Sequence, residues 1–329
     1  MSGVKSERAA LAALIVLLVG LPLAVLGYQF VLRPAAAPHR VVDVAAVAPE
    51  GGGFSPTSIE VVAGETVTLR FHAEDVTHGI AIGPGLGVDL GHIDPGHVGE
   101  VTLTFEEPGT YTYYCNTWCS PDHWRMRGVI EVRDPNGALP APQTDPLIEA
   151  LIAEGVDIDA AHTGPDHPAA SLPGSGQPSA ARGADALPDL DVPAELSDEG
   201  WRLTHTPAEA LHRLSEANPD ADPAMLADAA AALWVSPVVP QTVTLYEQNC
   251  AACHGQYGGG DGPAAGTTAE TPAAFSDPAY MAAMRGDVLY AKIRRGGMGT
   301  DMPNFGTVFT QEETRALVEY LWVLAFGGE

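Results

Sequence analysis

Residues 9–32 form an apolar run with no charged side chain between Arg8 and Arg33. As a helix this run is ~36 Å long at ~1.5 Å per residue, enough to cross a hydrocarbon layer of ~30 Å. Pro22 is compatible with a membrane helix, and Tyr28 falls near one end, where amphipathic rings gather. The alternative is a secretory signal peptide, with Ala35-Ala36-Ala37 as the cleavage region, but its apolar core is usually only ~7–15 residues. The expectation is a retained single-pass anchor at 9–32 behind a short cytoplasmic start at 1–8. From residue 40 to 133 the pattern becomes one of short strands: TSIEVV, ETVTLRFHA, HGIAIG, EVTLTF, GTYTYYC and RGVIEVR. They are rich in Val, Ile, Thr and Tyr, and Ala63-Gly64, Pro84-Gly85, Pro95-Gly96 and Pro108-Gly109 punctuate them as turns. This predicts a β-sandwich.

Residues 134–239 lose that pattern. They are acidic and rich in Pro, Ala and Gly, with one clear helical patch, PLIEALIAEG. Most of 134–200 is expected to be a flexible linker, and 201–232 to hold amphipathic helix pieces packed on the next domain. Residues 240–329 read as helices joined by Gly/Pro loops. TVTLYEQNCAAC opens the first, and TQEETRALVEYLWVLA forms the last, with Thr310 and Glu313 as a capping box.

The 329 residues carry a formal net charge of −26. That excludes a nucleic-acid binder, which needs a basic face against phosphate. It suits a basic protein partner drawn in by long-range attraction. No Ser/His/Asp set, phosphate loop or paired-carboxylate motif is recognisable. The candidate chemistry lies in two cysteine pairs, Cys115/Cys119 and Cys250/Cys253.

The first pair sits in Cys115-Asn-Thr-Trp-Cys119-Ser-Pro-Asp-His123-Trp-Arg-Met126, with His78 upstream in DVTHGI. Two thiols, two imidazoles and a thioether form a soft donor set that selects copper over hard cations. Zinc accepts Cys₂His₂ but leaves Met126 idle, and a disulfide leaves all the other spacings to chance. His72, His92 and His97 are expected to be surface or strand-end residues. The region 40–133 resembles the CuA cupredoxin domain of haem–copper oxidase subunit II, on DVTHGI, PGTYTYYC, C-x₃-C-x₃-H-x₂-M and RGVIEV. The resemblance implies a Greek-key sandwich and a binuclear copper centre. Cys115 and Cys119 would bridge the two coppers, and His78 and His123 would each bind one. Met126 and the carbonyl of Thr117 would be the weak ligands. Trp118 and Trp124 flank these residues as candidate relay or docking groups.

The second pair is Cys250-Ala-Ala-Cys253-His254, the C-x-x-C-H pattern of covalent c-type haem attachment. The thiols reach the two vinyl groups, and His254 faces the iron. Met298 and Met302 are candidates for the sixth ligand, where a thioether raises the potential. The region 240–326 resembles small cytochromes c, on LYEQNCAACHGQYGGGDGP and MPNF, and in that family the Met of the Met-Pro pair is the ligand, which implies Met302. Arg294 and Arg295 are candidates for pairing with the haem propionates.

Taken together, the resemblances imply a multidomain chain: a membrane helix, an all-β cupredoxin-like sandwich, and an all-α cytochrome c domain. They imply an electron-transfer subunit of a haem–copper terminal oxidase, carrying one CuA centre and one haem c. The copper and haem domains would lie on the periplasmic or exterior face of the cytoplasmic membrane. The partners implied are a membrane-embedded catalytic subunit and an electron donor such as a basic cytochrome c. The alternatives are the corresponding subunit of a nitric oxide reductase and a free-standing anchored electron carrier.

Overall fold

The computed structural model describes residues 14–27, 39–141, 144–158, 169–173, 177–297 and 300–327. At the start, a π-helical turn, Val16–Gly20, runs into helix α1, Leu21–Gly27. Pro22 has no N–H to continue the ordinary ladder, and the Leu21 N–H reaches back to the Val16 carbonyl. Widening of this kind is usual beside a proline. Residues 14–26 are all exposed. The predicted span 9–32 extends past the described residues at both ends, and no helix among the described residues is long and apolar enough to cross a membrane.

The next region is a two-sheet sandwich. Its strands are β1 (Arg40–Ala46), β2 (Phe54–Ser55), β3 (Ser58–Val62), β4 (Thr66–Ala73), β5 (His78–Gly83), β6 (Val88–Ile93), β7 (Val98–Thr104), β8 (Gly109–Cys115) and β9 (Arg127–Arg133). One sheet has the order β2-β1-β4-β7, the other β3-β9-β8-β5-β6. Alternation puts Val67, Leu69 and Phe71 of the first sheet against Ile80, Ile82, Tyr113, Ile130 and Val132 of the second, all buried in one core. Each such side chain contributes roughly 1.5–3 kcal/mol when fully buried. Phe54, Phe71 and Tyr113 meet edge-on or tilted at its centre, with centroids 5.1–6.1 Å apart. The Tyr113 hydroxyl donates to the Pro56 carbonyl at 2.5 Å.

The rest of the chain is helical: α2 (Pro146–Glu154), α3 (Ala180–Ala186), α4 (Glu199–Thr204), α5 (Pro207–Ala217), α6 (Pro223–Trp234), α7 (Pro240–Asn249), α8 (Ala251–His254), α9 (Pro278–Ala282), α10 (Gly286–Arg295) and α11 (Gln311–Phe326). The Thr310/Glu313 capping box is present at the start of α11. The expected flexible linker is corrected over the residues described. Leu151, Ile158 and Leu196 belong to the same buried cluster as Tyr246, Leu289, Leu317 and Trp322, and Ala210, Leu214 and Leu226 of the following helix pieces lie in it too. Tyr290 donates to Asp145 at 2.6 Å, Lys292 to the Ile158 carbonyl at 2.9 Å, and Gln177 to the Ala325 carbonyl at 2.7 Å. Small side chains account for the difference. Composition counts Ala and Gly as linker residues, but in α3 and α6 they let two backbones approach closely.

The two halves also touch. In β5 and β8 the alternate positions are buried as well: Ala81 and Tyr114 face away from the sandwich core and join the helical cluster. Gln248 donates to Asp89 at 3.0 Å across the junction.

The α3–α6 approach yields a prediction. A Cβ on Gly183 would stand 1.9 Å from the Asp228 carbonyl oxygen. Gly183→Ala should therefore destabilise the helical half by roughly 1–3 kcal/mol, as overpacking does. Chemical denaturation followed by circular dichroism measures it, and an unchanged midpoint would contradict this packing.

Candidate functional site

The strand β8 delivers Cys115 to the end of the sandwich, where the chain leaves the sheet and returns as β9. The loop between is closed at its base by the Cys115 N–H donating to the Met126 carbonyl at 3.1 Å. Asn116 anchors it further: its N–H donates to the Gly79 carbonyl at 3.0 Å and its side-chain amide to Asp89 at 3.2 Å. A short 3₁₀ turn, His123–Arg125, ends the loop.

This fold gathers all six residues singled out as first-cluster ligands. His78, Cys115 and Cys119 place one donor atom each within 4.8 Å of one another. Cys115 Sγ lies 3.9 Å from His78 Nδ1 and 3.2 Å from the Thr117 carbonyl oxygen. Cys119 Sγ lies 3.7 Å from His123 Nδ1 and 3.9 Å from Met126 Sδ. His78, Cys115, His123 and Met126 are buried. The other ring nitrogen of His78 meets Asp75 at 2.9 Å, which aims Nδ1 at the thiols, as outer-shell carboxylates do for ligand histidines. Burial opposes a charged His78, but its hydrogen bonds to Cys119 and Asp75 outweigh burial and raise its pKa. The two thiols are coupled: the hydrogen bond from Cys119 favours a Cys115 thiolate, and the same bond pushes Cys119 up to about 11. This donor set fits soft metal ions. His72 instead pairs with Asp43 at 2.8 Å, and His92 and His97 are exposed.

The second cluster lines a cavity of ≈ 1220 Å³, counting its open mouth. Cys250, Cys253, His254 and Met302 all face onto it. Cys250 ends α7 and Cys253 and His254 lie in the single turn of α8, which spaces the thiols and the imidazole along one wall. His254 Nδ1 is fixed by the Ala273 carbonyl at 3.0 Å, and its ring stacks on Phe275 at 4.5 Å. This leaves Nε2 for an iron. Burial lowers the His254 pKa, keeping the ring neutral as a ligand must be, and raises the Cys250 thiol to about 12. Met298 lies outside the described residues. Arg294 turns elsewhere, to Asp145 at 3.4 Å and the Phe309 carbonyl at 2.8 Å. Among the described residues, Lys292 rather than Arg294 or Arg295 reaches the cavity wall.

The two clusters share that wall. Tyr114, Trp118, His123, Trp124 and Arg127 of the β-sandwich half line the same cavity as the C-x-x-C-H turn. Trp118 meets His123 edge-on at 6.1 Å, and Arg125 lies 4.5 Å over the Trp124 ring. The sequence reading missed Asp75, Arg127 and Lys292. Asp75 has a local signal, standing three residues before His78. Arg127 and Lys292 have none, because only the docking of the halves brings them to the cavity.

Residues 21–130 match the family described as Cupredoxin-like domain, and residues 239–321 match that described as Cytochrome C oxidase, cbb3-type, subunit III. A cytochrome c oxidase subunit 2 of Thermus thermophilus is 35% identical over 83 residues, 25% of this chain and 59% of its own. A second protein of that species and description is also 35% identical over 83 residues, 48% of its length. The chain thus spans about half the length of the curated relatives it matches. A chain in a cryo-EM structure of a heme-copper terminal oxidase dimer is 24% identical, over 39% of this chain and 99% of that one, with a TM-score of 0.25. The chain therefore pairs a cupredoxin-like β domain with a helical domain of cytochrome c type, and over a quarter of its length it is similar to cytochrome c oxidase subunit 2 of Thermus thermophilus.

The close packing beneath the first cluster can be tested. A Cβ at Gly79 would lie 2.2 Å from Asn116 Oδ1 and 2.3 Å from Thr117 Oγ1. Gly79→Ala must displace the loop and should weaken soft-metal binding about 10–100-fold, the usual cost of disturbing a ligand's support. Competition against a chromophoric chelator measures this, and an unchanged affinity would count against the cluster as the binding site.

Proposed function

We propose that this chain is the electron-transfer subunit of a haem–copper terminal oxidase, an oxidoreductase whose oxygen chemistry belongs to a separate membrane-embedded subunit. The observation that carries the reading is the shared wall: a soft donor cluster of copper type lies against a cavity lined by a C-x-x-C-H turn and a methionine. Cys115 and Cys119 would be the thiolate ligands of a binuclear copper centre. His78 and His123 would bind it through Nδ1, with Met126 and the Thr117 carbonyl as weak ligands. Cys250 and Cys253 would hold the haem covalently, with His254 and Met302 on its iron. These groups would supply one-electron redox chemistry, passing electrons from haem to copper and on to the catalytic subunit.

The protein's own part is rigidity and exclusion of water. Strand-anchored loop ends, the Asp75–His78 bond and the Ala273–His254 bond hold the ligands against movement when charge changes. The acidic surface suits a basic electron donor such as a cytochrome c. Residues 9–32 would anchor the chain once in the cytoplasmic membrane, with both domains on the periplasmic or exterior face.

Met126→Leu should perturb the near-infrared and spin-resonance signals of copper and leave haem attachment intact. His254→Ala should abolish normal haem ligation while copper loading persists. The decisive experiment is gas uptake by the native complex, extracted in mild detergent through this chain and given a reduced small cytochrome. Rapid dioxygen uptake with little nitric oxide turnover is expected. Preferential nitric oxide uptake would move the chain to the nitric oxide reductases. Recovery of the chain alone with intact spectra and no gas uptake would make it a free-standing carrier.

A further inference from the structure

Met126 and Met302 stand in different halves, yet the residues beside one are tied to the residues beside the other. Arg125 reaches Asp301 at 3.9 Å. Arg127 donates to the Asn304 carbonyl, and its guanidinium lies 4.8 Å over the Phe305 ring. The first contact joins an exposed side chain to a partly exposed one, and such pairs contribute little. The second is of a different kind. Arg127 is half-buried, and it opens β9 opposite Tyr114 in the ladder. Its planar group stacks and donates at once, a combination an ammonium cannot reproduce.

The loop on the other side takes part of its support from that tie. Within its own half, the segment around Met302 is held by the Gly297 N–H to the Met302 carbonyl at 3.1 Å, by the Met302 N–H to Thr300 Oγ1 at 3.2 Å and by the Ala269 N–H to Asp301 Oδ2 at 2.6 Å. Regular support resumes at Phe305, whose N–H donates to the Ile293 carbonyl at 3.0 Å. Between these anchors, Pro303 has no N–H, and the Asn304 carbonyl goes to Arg127.

We propose that Arg127 is a positioning residue for the haem's methionine ligand, so that the cupredoxin-like half sets the stance of Met302. This rests on the haem reading above. Arg127 acts through the backbone at 304 and the Phe305 ring rather than on the iron. The residue following a copper ligand thereby holds the loop that carries the haem ligand.

The test uses the full chain with covalent haem, as wild type, Arg127→Ala, Arg127→Lys and Met302→Ala. The readouts are the red charge-transfer band of methionine-ligated ferric haem and the haem midpoint potential, with covalent haem content and thermal unfolding as controls. Arg127→Ala should keep its haem but lose most of the band, with a lowered potential, because a thioether ligand raises it. Arg127→Lys should recover only part of the band, and Met302→Ala should lack it. An unchanged band and potential in Arg127→Ala would overturn the proposal. So would a shifted potential with the full band, which would mean that the Arg127 charge acts on the haem directly. If Arg127→Ala does not fold, Phe305→Leu removes the stacking face from the other side, and it should lose part of the band; a full band there overturns the proposal. A wild-type chain with haem but no band would overturn the Met302 assignment and the proposal with it. A wild-type chain that carries no covalent haem would overturn the haem reading itself.

Discussion

Much of this molecule depends on β5 and β8 being buried on both faces. A strand in a sandwich usually has one face inside and one in water. Here Ile80, Ile82, Tyr113 and Cys115 point into the sandwich, while Ala81 and Tyr114 point into the helical half. The same two strands therefore close one core, dock a second, and hold His78 and Cys115 at their ends. Period-two geometry makes this possible without any special residue. A slip of one position would turn the donors outward and break the docking together.

That shared pair of strands explains why the two candidate cofactor sites are neighbours. The loop from Cys115 to Met126 starts and finishes on adjacent strands, so its outer side, with Trp118 and Trp124, must face whatever covers the sheet end. What covers it is the cavity beside α8. The separation between the sites is set by backbone hydrogen bonding in the sheet rather than by a tether. The segment once expected to be a tether, including 144–158, is instead strapped to α10 through Asp145 and Ile158.

The parts legible in the sequence were those governed by local rules. Strand alternation, the Thr310/Glu313 cap, and the spacing of Cys115, Cys119, His123 and Met126 are read over a few residues, and the fold keeps each of those four together with His78. The parts not legible were those decided by surface against surface. Ala81 and Tyr114 look like ordinary outward positions of amphipathic strands. Ala180 and Gly183 look like linker composition, because nothing local says that their helix will meet α6 at backbone distance. Arg294 looks like a partner for an anionic group until Asp145 arrives from 149 residues upstream to take it.

The ladder β3–β9 joins Ile59 to Ile130 and Val61 to Val132, so the sandwich closes only when segments far apart in the chain find each other. The helical half also closes over long separations: α3 packs on α6, α7 on α11, and α2 lies against α10, where Tyr290 donates to Asp145. Local contacts form quickly and distant pairings slowly. The face of Ala81 and Tyr114 exists only once β5 and β8 have paired, so the surface on which the helical half docks is made by distant segments of the chain and not by any one of them.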